Sequence, residues 1–84
     1  MKQPMMFIKK PIAVEAMQVT VFNLDEVVEW CKGELFGARL NAKDRAIKFD
    51  GYEARVKDWI VRDDHGIFRV HKPAVFEALY ERVE

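Results

Sequence analysis

Cysteine is almost missing from this chain: Cys31 stands alone. A lone cysteine excludes an internal disulfide and any zinc site assembled from several cysteines of one chain. Glycine and proline are scarce as well, and the four glycines stand apart at positions 33, 37, 51 and 66. No glycine-rich loop is therefore present to cradle a phosphate, and no linker or low-complexity tract divides the chain. An excess of charge is also lacking, since 14 Lys and Arg balance 14 Asp and Glu. Electrostatic binding to nucleic acid needs a basic field or stripe, and mimicry of nucleic acid needs the reverse, so both are set aside. The one basic cluster, Lys9-Lys10 beside Lys2, reads as a solvated end. The apolar run Met5-Met6-Phe7-Ile8 is too short for a signal peptide, and nothing approaches the roughly 20 apolar residues of a membrane span. These absences point to a protein of a reducing cytoplasm, without membrane or nucleic-acid partners.

What is present builds a core. Half of the 84 residues are hydrophobic and 12% are aromatic, which argues against disorder and fits one domain over residues 1–84. Ile12 to Thr20, IAVEAMQVT, is β-branched and partly alternating, and predicts a strand. The segment VFNLDEVVEWCKG predicts a helix over about 23–32. Asn23 suits the N-cap, Glu26 the third position of a capping box, and Phe22 with Val27 a hydrophobic staple. Leu24, Val27, Val28 and Cys31 form its apolar stripe, and Lys32-Gly33 supplies the stop. Glu34–Leu40 is a weak strand broken at Gly37. Ala46–Phe49 and Tyr52–Val56 alternate about Asp50-Gly51, a two-residue hairpin turn. Trp59–Arg62 and Ile67–Val70 are strands joined by Asp63-Asp64-His65-Gly66. Lys72-Pro73 opens a helical turn over about 73–79, with Phe76 and Leu79 or Tyr80 inward, and the tail YERV closes as an edge strand. The fold class is α+β: a small twisted antiparallel β-sheet or partly open barrel, one main α-helix and one short helical turn.

Chemistry-bearing residues occur without a specific arrangement. Asp63, Asp64, His65 and His71 offer metal donors, but Asp-Asp-His-Gly is also an ordinary turn whose acids bond their own backbone, and that reading is preferred. Cys31 with a histidine would make a nucleophile and base, yet it falls on the apolar stripe and reads as a buried hydrophobe. Trp30 lies off that stripe. It either packs under Leu35-Phe36, the preferred reading, or stands exposed beside Glu26 and Glu29 as a binding anchor. Trp59 reads as core.

Three segments, FIKKPIAVEAMQVT, NLDEVVEWCKG and DWIVRDDHGIFRVHKPAVFEALYERVE, together resemble a family of small bacteriophage and prophage proteins. In that family a basic-Lys-Pro-Val start runs into a Val-Glu-Ala-x-Gln strand. A helix and a Pro-Gly-Asp-Trp-Ile-Ile turn-strand follow, and the end resembles Gly-Glu-Phe-Tyr-Pro-Cys-Lys-Pro-Asp-Ile-Phe-Glu-x-Thr-Tyr-Glu. Lys10-Pro11, Glu15-Ala16, Gln18, Asp58-Trp59-Ile60, Gly66, Phe68, Lys72-Pro73, Phe76, Tyr80 and Glu81 match. The stretch from about Leu35 to Arg55 does not. Val56-Lys57 replaces the Pro-Gly, His71 stands where the family has cysteine, and Ala74 where it has aspartate. The family has no established enzymatic activity, so the resemblance implies a phage origin and a fold rather than a mechanism.

Among the matched polar residues, Lys10, Glu15, Gln18, Asp58 and Lys72 either line one site or satisfy each other, and mutual satisfaction is preferred. Three functions follow. The first is a phage-type accessory protein that binds a host protein without catalysis, as a host-takeover or anti-defence inhibitor. The candidate ligand- or partner-binding residues are Lys10, Glu15, Gln18, Trp30, Asp58, Trp59, Arg69, His71 and Lys72. The second is sequestration of a nucleotide-like small molecule by Lys10, Arg69 and Lys72 with Trp59 or Tyr52, aided by a homo-oligomer because so small a domain has little room for a deep pocket. The third is a small metal- or His-dependent hydrolase using His65, His71 and acids. No cofactor is implied, and the balance is against an enzyme.

Overall fold

The computed structural model describes residues 4–6 and 13–82. The lysines at 2, 9 and 10, and Ile12 at the head of the expected first strand, lie outside the described residues. The elements in order are β1 (Glu15–Gln18), α1 (Leu24–Cys31), β2 (Glu34–Phe36), a 3-10 turn (Ala42–Asp44), β3 (Ala46–Phe49), β4 (Tyr52–Arg55), β5 (Trp59–Arg62), β6 (Phe68–His71) and α2 (Pro73–Leu79). The fold is α+β. Its strands divide between two antiparallel three-stranded sheets, ordered β1-β5-β6 and β2-β3-β4, and they do not close into a barrel.

Turn chemistry fixes the second sheet and the passage out of it. Asp50 and Gly51 take φ of 45° and 80°, the paired positive values of a type I′ turn, which suits the strand twist of a tight hairpin. Phe49 then pairs with Tyr52 and Ile47 with Ala54. The chain leaves this sheet through Arg55–Asp58, closed by the Asp58 N–H donating to the Arg55 carbonyl at 2.9 Å. Lys57 sits there at φ 85°, the third position of a type II turn, where glycine is favoured. Its own N–H donates to the Val19 carbonyl, and its carbonyl accepts from the Gln18 side chain. Glycine keeps both backbone bonds and removes the Cβ strain. Lys57→Gly is expected to raise stability by roughly 0.5–1 kcal/mol, the left-handed penalty outweighing the entropy of glycine, read as a higher urea midpoint. An unchanged or lower midpoint would show that the turn carries no such strain.

The α1 helix is placed as expected, but its start is built differently. Asn23 makes no side-chain bond to the first turn, and its ψ is 16° rather than extended. Its Oδ1 instead accepts the Thr20 N–H, and its Nδ2 donates to the Gln18 carbonyl, both at 2.8 Å. The side chain is thus spent on the preceding loop, which has unpaired backbone groups of its own, and no capping box with Glu26 closes. Nor does the staple form, because Phe22 is 93% exposed. At the other end Lys32, not Gly33, takes the left-handed conformation (φ 57°).

Other boundaries shift for local reasons. β2 ends at Phe36, and the following loop is braced by the Arg45 guanidinium, which donates to the Ala38 and Leu40 carbonyls at 3.2 Å. β6 begins one residue later than expected because Ile67 is tied into the Asp63 turn. Along α2, Phe76 and Tyr80 are half-buried while Leu79 is exposed. Residues 80–82 form no strand, so the expected edge strand is absent from the described tail.

Val19, Leu24, Val27, Cys31, Ile47, Phe49, Ala54 and Ile60 make the buried core. Two cross-strand rows face it, Met17–Ile60–Val70 from the first sheet and Leu35–Ile47–Ala54 from the second. The Phe49 and Phe68 rings, 6.1 Å apart, join them. Cys31 is a buried filler as its helical spacing implies, and burial pushes its thiol pKa up, which keeps the sulfur protonated and poorly nucleophilic.

Candidate functional site

Residues directly opposite one another in neighbouring strands share a face, and this places Gln18, Trp59 and His71 in one row across the first sheet. That row lies on the face turned away from the core, where α2 covers it. The Phe76 ring stacks on Trp59 at 4.0 Å and 5°, and Tyr80 touches both Phe76 and His71. The Trp59 indole N–H is closed off from solvent and has no hydrogen-bond acceptor among the described residues. Arg69 shares this face two residues along β6 and is exposed.

At the end of the row Asp58 joins four parts of the chain. Only 3% exposed, it accepts the Arg55 N–H on Oδ2 at 3.0 Å and meets the Lys72 ammonium at 3.1 and 3.3 Å. Its backbone carbonyl accepts the Val19 N–H at 2.8 Å. One residue therefore ties the end of β4, the start of β5, the segment after β1 and the residue before α2. Gln18 adds its bond to the Lys57 carbonyl at 3.0 Å. Five of the nine sequence-predicted residues (Gln18, Asp58, Trp59, His71, Lys72) come together here, and the polar bonds of Gln18, Asp58 and Lys72 are made to this fold.

Glu15 and Trp30 belong elsewhere. Glu15 lies in the row Glu15–Arg62–Phe68 on the opposite face and pairs with the Arg62 guanidinium. Trp30 is half-buried and meets Phe68 edge-on at 5.1 Å, with Arg62 over its ring at 5.6 Å. Its aromatic partner is thus on β6, not in the Leu35-Phe36 segment. Lys10 lies outside the described residues.

The Asp-Asp-His-Gly segment is a turn. Asp63 Oδ1 accepts the N–H of His65 and of Ile67, each at 2.9 Å. The Ile67 donor above all, then His65 and the nearby Arg69, hold its carboxyl below the usual carboxylate range. A depressed folded-state value adds stability above the unfolded value of about 3.9, and that contribution is lost as pH falls through the folded value. Asp63→Asn keeps the acceptor oxygen without the titration, so its urea midpoint should fall less steeply with acidification than that of the wild type. Parallel curves for the two proteins would remove Asp63 from the acid response. Among the described residues, no group of three or more His, Cys, Asp or Glu is arranged to hold a metal ion, and His65 lies in the turn before β6 while His71 is its last residue.

Two features stand outside the expected set. An open groove of about 680 Å³ crosses the second sheet, lined by Lys32, Glu34, Phe36, Lys48, Tyr52 and Glu53 among others. Within it the Lys48 ammonium sits 4.3 Å from the Phe36 ring centre and 3.8 Å from Glu53. The second feature is Phe22, displayed on the loop between β1 and α1. Thr20 Oγ1 accepts the Phe22 N–H at 3.2 Å, and the two Asn23 bonds fix both sides of the loop. Only the sequence signal for a staple pointed at Phe22, and it pointed inward. No helix among the described residues is long and apolar enough to cross a membrane. No family model matches the chain, and no curated protein or solved structure matches it either.

Proposed function

We propose that this protein acts by non-catalytic binding to a protein partner, as a phage-type accessory factor directed at a host protein in the manner of a host-takeover or anti-defence inhibitor. The supporting observation is Phe22. A large apolar ring at 93% exposure, carried on a loop already fixed by side-chain hydrogen bonds, supplies contact area at little ordering cost on binding. Sequestration of a nucleotide-like ligand is less well supported. Glu34, Asp50 and Glu53 line the groove beside its two lysines and would repel a phosphate, while Lys72 is committed to Asp58.

The test is retention from a bacterial host lysate by the tagged full chain and by Phe22→Ala, with mass spectrometry of proteins and of small molecules released on denaturation. A protein retained by the wild type and lost by the variant is the expected result. Equal retention by both, or a released small molecule with no protein, would sink the reading.

A further inference from the structure

Resting on that reading, we infer that the partner presents an apolar socket rimmed by lysine and arginine. Asp25, Glu26 and Glu29 are the exposed positions of α1, while Leu24, Val27 and Cys31 are buried against the core. The three acids therefore share the solvent side of the helix, and they follow Phe22 within two turns. None forms an ion pair with any cation among the described residues, and the last turn of α1 has no basic residue.

Separations of this kind, about 1.5 Å of rise per residue, fall within the roughly 10 Å screening length of moderate salt. The carboxylates thus act together as one negative field on the helix that follows the Phe22 loop. Asp25 and Glu26 also favour the positive end of the helix dipole, which accounts for their presence but not for a solvent-facing phenylalanine next to them. A second copy of this chain is a poor occupant, because a two-fold contact sets the same patch against itself and would oppose acids to acids. A basic rim closing around Phe22 matches in charge and speeds encounter at low salt.

The probe is a random linear peptide library selected on the immobilised full chain, followed by affinity measurement of the enriched peptides. They should combine apolar residues with an excess of Lys and Arg. Phe22→Ala should weaken them on the order of tenfold or more. The variants Asp25→Asn/Glu26→Gln/Glu29→Gln and Glu26→Gln/Glu29→Gln, each checked for folding by circular dichroism, should weaken them several-fold and flatten the salt dependence. Enriched peptides without a basic excess, or unchanged affinity in both neutralised variants, would overturn the inference. In that case loss on Phe22→Ala still leaves the protein-binding reading standing. Affinity unaffected by Phe22→Ala, or a self-association of the wild type that this substitution abolishes, counts against the inference, and the former against both.

Discussion

Asp58→Ala should lower the stability of the protein by about 2–4 kcal/mol, the range set by orphaning a part-buried donor and deleting a buried, charged hydrogen-bond acceptor. The Arg55 N–H loses its side-chain acceptor, and Lys72 loses its partner. Because Asp58 stands where the chain crosses from β4 to β5, the loss falls on the junction between the two sheets. Asp58→Asn retains an oxygen for the Arg55 N–H and should cost less. Lys72→Met should cost least, about 1 kcal/mol, since 70% of the lysine side chain is exposed and water screens that side of the pair. For a domain of this size each kcal/mol moves the melting temperature by roughly 4–8 °C, so thermal melts will separate the three variants. The ranking is the test: a Lys72→Met loss as large as that of Asp58→Ala would make the ion pair, not the backbone bond, the main contribution.

The same residue shows why part of the site was legible in the sequence. Gln18, Asp58 and Lys72 stood out as polar residues among the positions matched by the resemblance, and Trp59 as a large aromatic expected in the core, while strand alternation brings Gln18 and Trp59 together once β1 pairs with β5. Pairing order is not local information, so the expected single sheet or partial barrel became two sheets. The hairpin at Asp50-Gly51 and the helix starting at Pro73 were legible because each depends on the backbone preferences of two or three adjacent residues. Phe22 was misread for the opposite reason. A capping box and staple require Asn23 to face the helix, and its amide is drawn instead to Gln18 and Thr20. That competition is set by a loop geometry which residue types alone do not specify. Lys57 is a milder case: Val56-Lys57 carries no type II signal in its own residue types, and a turn there was implied only by the Pro-Gly of the resembled family.

Gly33→Ala carries the second large effect, and it acts on the seam between α1 and the second sheet. A Cβ at position 33 would lie 2.9 Å from the Lys48 carbonyl oxygen and 3.1 Å from both Cys31 Sγ and Ile47 Cγ2. The Lys48 carbonyl belongs to β3, paired with β2 at Glu34, so it has little freedom to retreat. Ile47 is fully buried and Cys31 nearly so. Overpacking of this kind costs about 1–3 kcal/mol, against which the lower unfolded-state entropy of alanine returns only about 0.4–1 kcal/mol. A net loss is therefore expected in urea unfolding, and Gly33→Val should lose more. Adding Cys31→Ala to Gly33→Ala relieves the sulfur contact but not the carbonyl, so the pair should show only partial compensation in a double-mutant cycle. A Gly33→Ala protein as stable as the wild type would mean that α1 can ride outward on β3 without penalty. The helix that carries the Phe22 loop would then be less firmly seated than the close approach at Gly33 implies.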